Sequence, residues 1–166
     1  MFSPLRALTV EGASIQADLK IFSAPRVYGA TVIIAVTAQN TRPVTAIHYI
    51  PPSIIQAQLE AVLADIAISV IKIGMLGNQA TIKAVLNGWG EAGCTSPLVL
   101  GPVMISIGGS HLLVPEVVDE LKRYLIPKVY LMTPDLPEAA LLIGEKEPQK
   151  VAEMEVLLPK LHDLGA

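Results

Sequence analysis

The chain of 166 residues carries a net charge of −3 with its lysines and arginines scattered, which leaves no basic footprint for nucleic acid. It is 52% apolar and only 16% charged, with a mean hydropathy of +0.53, so it must bury more apolar surface than an average soluble domain. A membrane span does not account for this. The longest stretch without an acid or base, residues 92–115, is interrupted by Gly93, Pro97, Gly101, Pro102, Gly108 and Gly109, so it cannot be one helix of the ~20 residues a bilayer requires. Strands buried on both faces of a parallel sheet do account for it, because they read as unbroken apolar runs. Cys94 is the sole cysteine, which excludes an intrachain disulfide and points to a reducing compartment. The opening Met-Phe-Ser-Pro-Leu-Arg has no charged segment ahead of a long apolar core. The expectation is a cytoplasmic protein with neither a membrane nor a nucleic acid as partner.

In chain order, residues 5–10 read as a first strand. Ile15, Leu19 and Phe22 then fall on one helix face. Residues 30–37, Ala-Thr-Val-Ile-Ile-Ala-Val-Thr, predict a second, strongly β-branched strand, and 45–50 a shorter edge strand. Pro51-Pro52 opens a helix marked by Ile55, Leu59, Val62 and Ile66. A strand at 68–73 follows, then a helix on Ile82, Val85, Leu86 and Trp89, a strand at 98–100, a helix at 114–125 and a strand at 129–132. Helices from about Leu136 and Val151 close the chain, the second containing Pro159; Gly165 suits a helix C-cap. Alternating strands and helices without a linker or repeat predict one α/β unit, residues 1–166, around a parallel sheet with right-handed crossovers.

In such a sheet ligands bind where the strands end and the loops leave, which singles out residues 11–14, 37–41, 74–76, 101–104 and 133–138. Each has a plain structural reading as well. Gln39-Asn40-Thr41 suits a polar strand exit. Asp135-Leu136-Pro137-Glu138 suits a capping box, with Asp135 as N-cap and Glu138 reaching back. Ser106-Ile107-Gly108-Gly109-Ser110 could cradle a phosphate, on two glycines alone. Met75 reads as core packing. His48, His111 and His162 lack metal-ligand spacing, and Cys94 has no neighbouring base. Neither a phosphate-binding G-x-x-x-x-G-K-[ST] nor a dinucleotide-binding G-x-G-x-x-G occurs.

Five of these segments stand in the same order and spacing as in one family. Ala7-Leu8-Thr9-Val10 leading to Ile15-Gln16-Ala17-Asp18-Leu19-Lys20, Thr37-Ala38-Gln39-Asn40-Thr41, Lys72-Ile73-Gly74-Met75-Leu76, Pro102-Val103-Met104 and Thr133-Pro134-Asp135-Leu136-Pro137-Glu138-Ala139 resemble hydroxymethylpyrimidine and phosphomethylpyrimidine kinases of thiamine biosynthesis. The resemblance implies a ribokinase-like three-layer α/β/α fold with a mostly parallel central sheet, here C-terminally truncated. It implies ATP and Mg²⁺ as cofactors, an aminopyrimidine carrying a hydroxymethyl group as substrate, two successive phosphorylations, and a homodimer. It places Gln39 on the polar edge of the pyrimidine, where an amide can both donate and accept. Gly12, Ala13 and Thr37 stand around the ring and Met75 on its face. Glu138 acts through water on Mg²⁺, with Asp135 beside it.

Several positions depart from the family pattern. A small glycine- and serine-rich loop expected between Gly12 and Ala13 is missing, and Glu11 replaces a small residue. Gly101 stands where an Asp is usual, and Asp135 where an Asn is usual. A Lys-Gly-Gly-His segment and a Gly-Thr-Gly-Cys turn, which supply the anion hole and the activating residue, do not occur. Residues 1–166 are therefore expected to carry the pyrimidine-recognising part, to hold no catalytic residue of their own, and to turn over negligibly. The alternatives are a non-catalytic pyrimidine-binding remnant and a pyridoxal-kinase-like enzyme; Gln39-Asn40-Thr41 with Met75 favours the pyrimidine.

Overall fold

The β-branched runs and the helix-period segments between them fold as their patterns require. The computed structural model describes residues 5–11, 14–39, 44–104 and 113–165, with Glu11 described by its backbone. Among these, seven strands and six α-helices follow in the order β1 (Arg6–Glu11), α1 (Ile15–Ser23), β2 (Tyr28–Ile33), β3 (Ala35–Gln39), β4 (Val44–Tyr49), α2 (Pro52–Asp65), β5 (Val70–Ile73), α3 (Gln79–Glu91), β6 (Leu98–Leu100), α4 (Pro115–Glu120), β7 (Leu131–Met132), α5 (Leu136–Ile143) and α6 (Val151–His162). Five strands form one sheet in the order β2-β1-β5-β6-β7, every pair parallel. Helices cover both faces, as the α/β reading requires.

Register shows what each face carries. Val10 pairs with Val32 and Ile73, and Ile73 with Leu100, so one face is a continuous apolar row. That face meets Leu59 of α2, Val85 and Trp89 of α3, and Leu125 beyond α4. The next row runs Thr31, Thr9, Lys72, Val99 and Leu131 and faces the α1 side. Thr9 is fully buried there, whereas Leu131 is 49% exposed. The apolar core therefore sits between the sheet and α2–α4.

The single strand expected at 30–37 is two. β2 ends at Ile33 and β3 starts at Ala35; β3 pairs antiparallel with β4 in a separate two-stranded flap. The pivot, Ile34, is fully buried, and its carbonyl accepts the Ile50 N–H at 2.9 Å. β-Branched residues favour strand on both sides of the pivot, so propensity carries no trace of the break. The side chain of Gln58 on α2 marks it instead. Its Oε1 accepts the Ile33 N–H at 3.0 Å and its Nε2 donates to the Ile33 carbonyl at 2.9 Å. This satisfies the last residue of an edge strand from outside the sheet.

The other differences are small. The strand expected at 129–132 shortens to two residues, Leu131–Met132. The helix expected at 114–125 is α4 continued by a wider turn, Leu121–Leu125, and a tight one, Ile126–Lys128. α6 runs through Pro159, whose carbonyl still accepts the Asp163 N–H. Gly165 follows that helix at φ +101.

Gln58→Leu should cost about 1–2 kcal/mol of stability, since two hydrogen bonds to Ile33 are lost together. Urea unfolding checks the magnitude, and accelerated exchange of the Ile33 amide checks the location.

Candidate active site

Parallel pairing brings the strand ends level, and hydrogen bonds continue the row just past them. The Gly74 N–H donates to the Val10 carbonyl at 3.2 Å, the Gly101 N–H to Ile73 at 2.8 Å and the Thr133 N–H to Leu100 at 2.9 Å. Three of the segments singled out in the sequence, 74–76, 101–104 and 133–138, thus leave the sheet side by side at one edge. Residue 11 ends β1 at the same edge.

Within this row one carboxylate does most of the joining. Glu138 is 6% exposed. Its Oε1 accepts the Met104 N–H at 3.2 Å and its Oε2 accepts the Asp135 N–H at 2.9 Å. Asp135 returns the bond, its Oδ1 accepting the Glu138 N–H at 2.9 Å. The capping box read from the sequence is therefore present, and it also ties the β6 exit to the β7 exit. Burial pushes the Glu138 carboxyl up from its ordinary value near 4.5, the two backbone N–H groups pull it back, and the Asp135 charge pushes it up again. Burial is the largest of these effects.

The ring-binding candidates stand on different elements. Met75 is buried at the β5 exit. Thr37 is half-buried and Gln39 exposed, both on β3 of the flap. The resemblance implies a buried Gln39 that would reject a ring lacking its amine by being left unpaired; in the folded chain Gln39 is instead in contact with solvent. Gly12, Ala13, Asn40, Thr41 and residues 106–110 lie outside the described residues, as does the side chain of Glu11. Gly101 has room for a larger residue. A Cβ there would meet Thr133 Oγ1 at 3.7 Å and the Ile73 carbonyl at 4.0 Å, so packing does not exclude the usual Asp. Among the described residues no group of three or more His, Cys, Asp or Glu side chains could hold a metal ion. The described residues therefore do not by themselves form a protein cage for a cation. Mg²⁺ beside phosphates is commonly held by one or two carboxylates with water completing its shell, which needs no such cluster.

One cluster was missed in the sequence. Asp18 on α1 accepts the Thr9 hydroxyl at 2.6 Å and the Lys72 ammonium at 2.9 Å, both on Oδ2. Thr9 and Lys72 are register partners on β1 and β5, two rows behind the exits. The available signal was Thr9 and Lys72, polar residues flanked on both sides by apolar ones in two mostly apolar strands. A groove of about 410 Å³ opens elsewhere, beside edge strand β7, lined by Tyr130, Leu131, Leu136, Met154, Leu158 and Leu161 among others. Apolar side chains make up most of its lining, with Thr133 and His162 as polar members and no carboxylate.

Comparison with known proteins identifies the arrangement. The family profile for phosphomethylpyrimidine kinase matches residues 9–166. The chain belongs to the phosphomethylpyrimidine kinase family. A hydroxymethylpyrimidine/phosphomethylpyrimidine kinase of Rhizobium meliloti is 46% identical over 143 residues, covering 86% of this chain and 53% of that protein. The crystal structure of the phosphomethylpyrimidine kinase from Clostridium difficile superposes with a TM-score of 0.86 at 40% identity, covering 97% of this chain and 71% of that one. An ADP complex of Bacillus subtilis pyridoxal kinase superposes with a TM-score of 0.85 at 31% identity, covering 99% of this chain and 63% of that one. The sheet with helices on both sides is thus the ribokinase-like fold of these vitamin kinases. The chain spans 49–60% of the length of the hydroxymethylpyrimidine/phosphomethylpyrimidine kinases it matches.

The raised Glu138 carboxyl has a consequence for stability in this family member. The folded state holds that proton to higher pH than the unfolded state does, so the pH-dependent cost of burying Glu138 is absent below its ordinary value, grows as pH rises toward the raised one and levels off above it. Relative to Glu138→Gln, the parent should therefore lose stability as pH goes from about 4 to about 7. Paired urea titrations at the two pH values check the sign.

Proposed function

We propose that this chain is the pyrimidine-recognising part of a kinase that uses ATP to phosphorylate 4-amino-5-hydroxymethyl-2-methylpyrimidine and then its monophosphate, in thiamine biosynthesis. The observation that carries the reading is the level row of exits, with the flap holding Thr37 and Gln39 on one side and the Glu138-tied turns on the other. An aminopyrimidine would lie on the first side, and a polyphosphate on the second with Mg²⁺ offsetting the Asp135 and Glu138 charges. Gln39 would donate to and accept from the ring nitrogen and exocyclic amine. Thr37, with Gly12 and Ala13, would border the ring, and Met75 would pack on its face. Being exposed, Gln39 becomes desolvated only when a ring covers it, so its hydrogen bonds decide affinity at that moment.

Mg²⁺ would be held through water by Glu138 with Asp135 beside it, and would supply neutralisation of phosphate charge. Both Glu138 oxygens already accept backbone N–H bonds, so its part is to orient solvent at the β6 and β7 exits. Anion-hole and base functions are expected from the family's Gly-Thr-Gly-Cys turn, which these residues do not contain. We further propose a cytoplasmic homodimer with neither nucleic acid nor membrane as partner. The net charge of −3 and the exposed Val36 and Ile47 on the flap support that reading, and no helix among the described residues is long and apolar enough to cross a membrane.

The likeness to pyridoxal kinases makes pyridoxal the competing substrate. Calorimetric titration of the protein at its full natural length with each compound separates the two. The aminopyrimidine should bind more tightly than pyridoxal, and Gln39→Leu should weaken it by about 1–3 kcal/mol, roughly 5- to 150-fold in affinity. Unchanged affinity in Gln39→Leu, or tighter binding of pyridoxal, contradicts the assignment.

A further inference from the structure

The flap touches the rest of the protein over little surface. Its root is buried, with Ile34 and Ala35 inside, but Val36, Ala38 and Gln39 on β3 and Thr45, Ala46, Ile47 and His48 on β4 are exposed. Tyr49 closes the root, opposite Ala35 in the antiparallel register, and it is half-buried. What it packs on is a glycine. A Cβ built on Gly77 would lie 2.7 Å from the Tyr49 hydroxyl oxygen and 2.8 Å from its ring carbon Cζ, closer than atoms without a bond approach. The tyrosine ring thus occupies the space that any side chain at position 77 would fill.

Gly77 is itself held in place. It stands two residues after the buried Met75, at φ +73, a left-handed conformation that glycine adopts without cost. The next residue, Asn78, caps α3 by accepting the Thr81 N–H at 2.9 Å, and its own N–H donates to the Leu76 carbonyl at 2.9 Å. The turn is therefore anchored to a helix at one end and to the sheet, through Gly74, at the other. Whatever presses on Gly77 moves against a fixed support.

We propose that the Tyr49 ring seated on Gly77 is a latch that holds the β3–β4 flap against the Met75 turn, and that Tyr49 and Gly77 are positioning residues setting the distance between Gln39 and Met75. The functional half of this statement rests on the pyrimidine-pocket reading above; the latch itself does not. The two demands on position 77 are separable. Its positive φ penalises a side chain whether or not the ring is present, whereas the steric conflict exists only while Tyr49 is there.

The test is a double-mutant cycle of Tyr49→Ala and Gly77→Ala in the full-length protein, read by hydrogen exchange of β3 and β4 amides without ligand. Gly77→Ala should accelerate flap exchange about tenfold, and Tyr49→Ala should do the same. Adding Gly77→Ala to Tyr49→Ala should leave flap exchange where it was. In parallel, Gly77→Ala should weaken the aminopyrimidine about tenfold and leave the affinity for ATP unchanged. Equal acceleration by Gly77→Ala with and without the ring overturns the latch, as does a flap whose exchange neither substitution alters. Coupled exchange with an unchanged pyrimidine affinity in Gly77→Ala overturns the positioning role. A Gln39→Leu protein that binds the pyrimidine normally overturns the pocket reading instead, and the exchange data on the latch stand apart from it. Should Gly77→Ala fail to fold, Tyr49→Ala alone decides by the same flap exchange.

Discussion

A carboxylate 6% exposed must find hydrogen bonds or lose its charge, and Glu138 finds two of them on backbone groups from different elements. The Met104 N–H belongs to the loop leaving β6, and the Asp135 N–H to the turn leaving β7. Without that bridge two short strands, of three and two residues, would be held level by few ladder bonds. With it, their exits are fixed relative to each other and to the first turn of α5. The upward-shifted carboxyl reflects the burial that this junction imposes on Glu138.

The two faces of the sheet serve different ends. Val10, Val32, Ile71, Ile73, Leu98 and Leu100, all buried, make the α2–α4 side a core. The opposite row is interrupted by Thr9 and Lys72, both bonded to Asp18 of α1. That carboxylate pins α1 against β1 and β5 just behind the exits, so the segment joining β1 to α1 has fixed ends. The larger apolar core thus lies on one face, while the polar contacts of the other hold α1 against β1 and β5.

How much of this was legible in the sequence depends on the range of the interaction. The helices around Ile55–Leu59 and Ile82–Val85 follow from local periodicity, and the Asp135–Glu138 capping box from a spacing of three. The break at Ile34 was not legible, because Ile33, Ile34 and Val36 favour strand equally; the deciding group is the Gln58 amide, twenty-five residues away. Lys72 and Asp18 lie fifty-four residues apart, and Tyr49 and Gly77 meet only once the flap is folded. At the site, the motif order located Met75 and Glu138 at strand exits correctly. The exposure of Gln39 follows from its place on a flap that no local pattern announced.

The central claim is that an aminopyrimidine lies between the flap and the Met75 turn, at the edge where the strands end, rather than in the apolar groove beside β7. A crystal structure of the full-length protein with 4-amino-5-hydroxymethyl-2-methylpyrimidine tests it most directly. The account predicts the ring stacked on Met75 with its amine and ring nitrogen bonded to the Gln39 amide. A ring seated among Tyr130, Leu136 and Leu158, with Gln39 still in solvent, would contradict it.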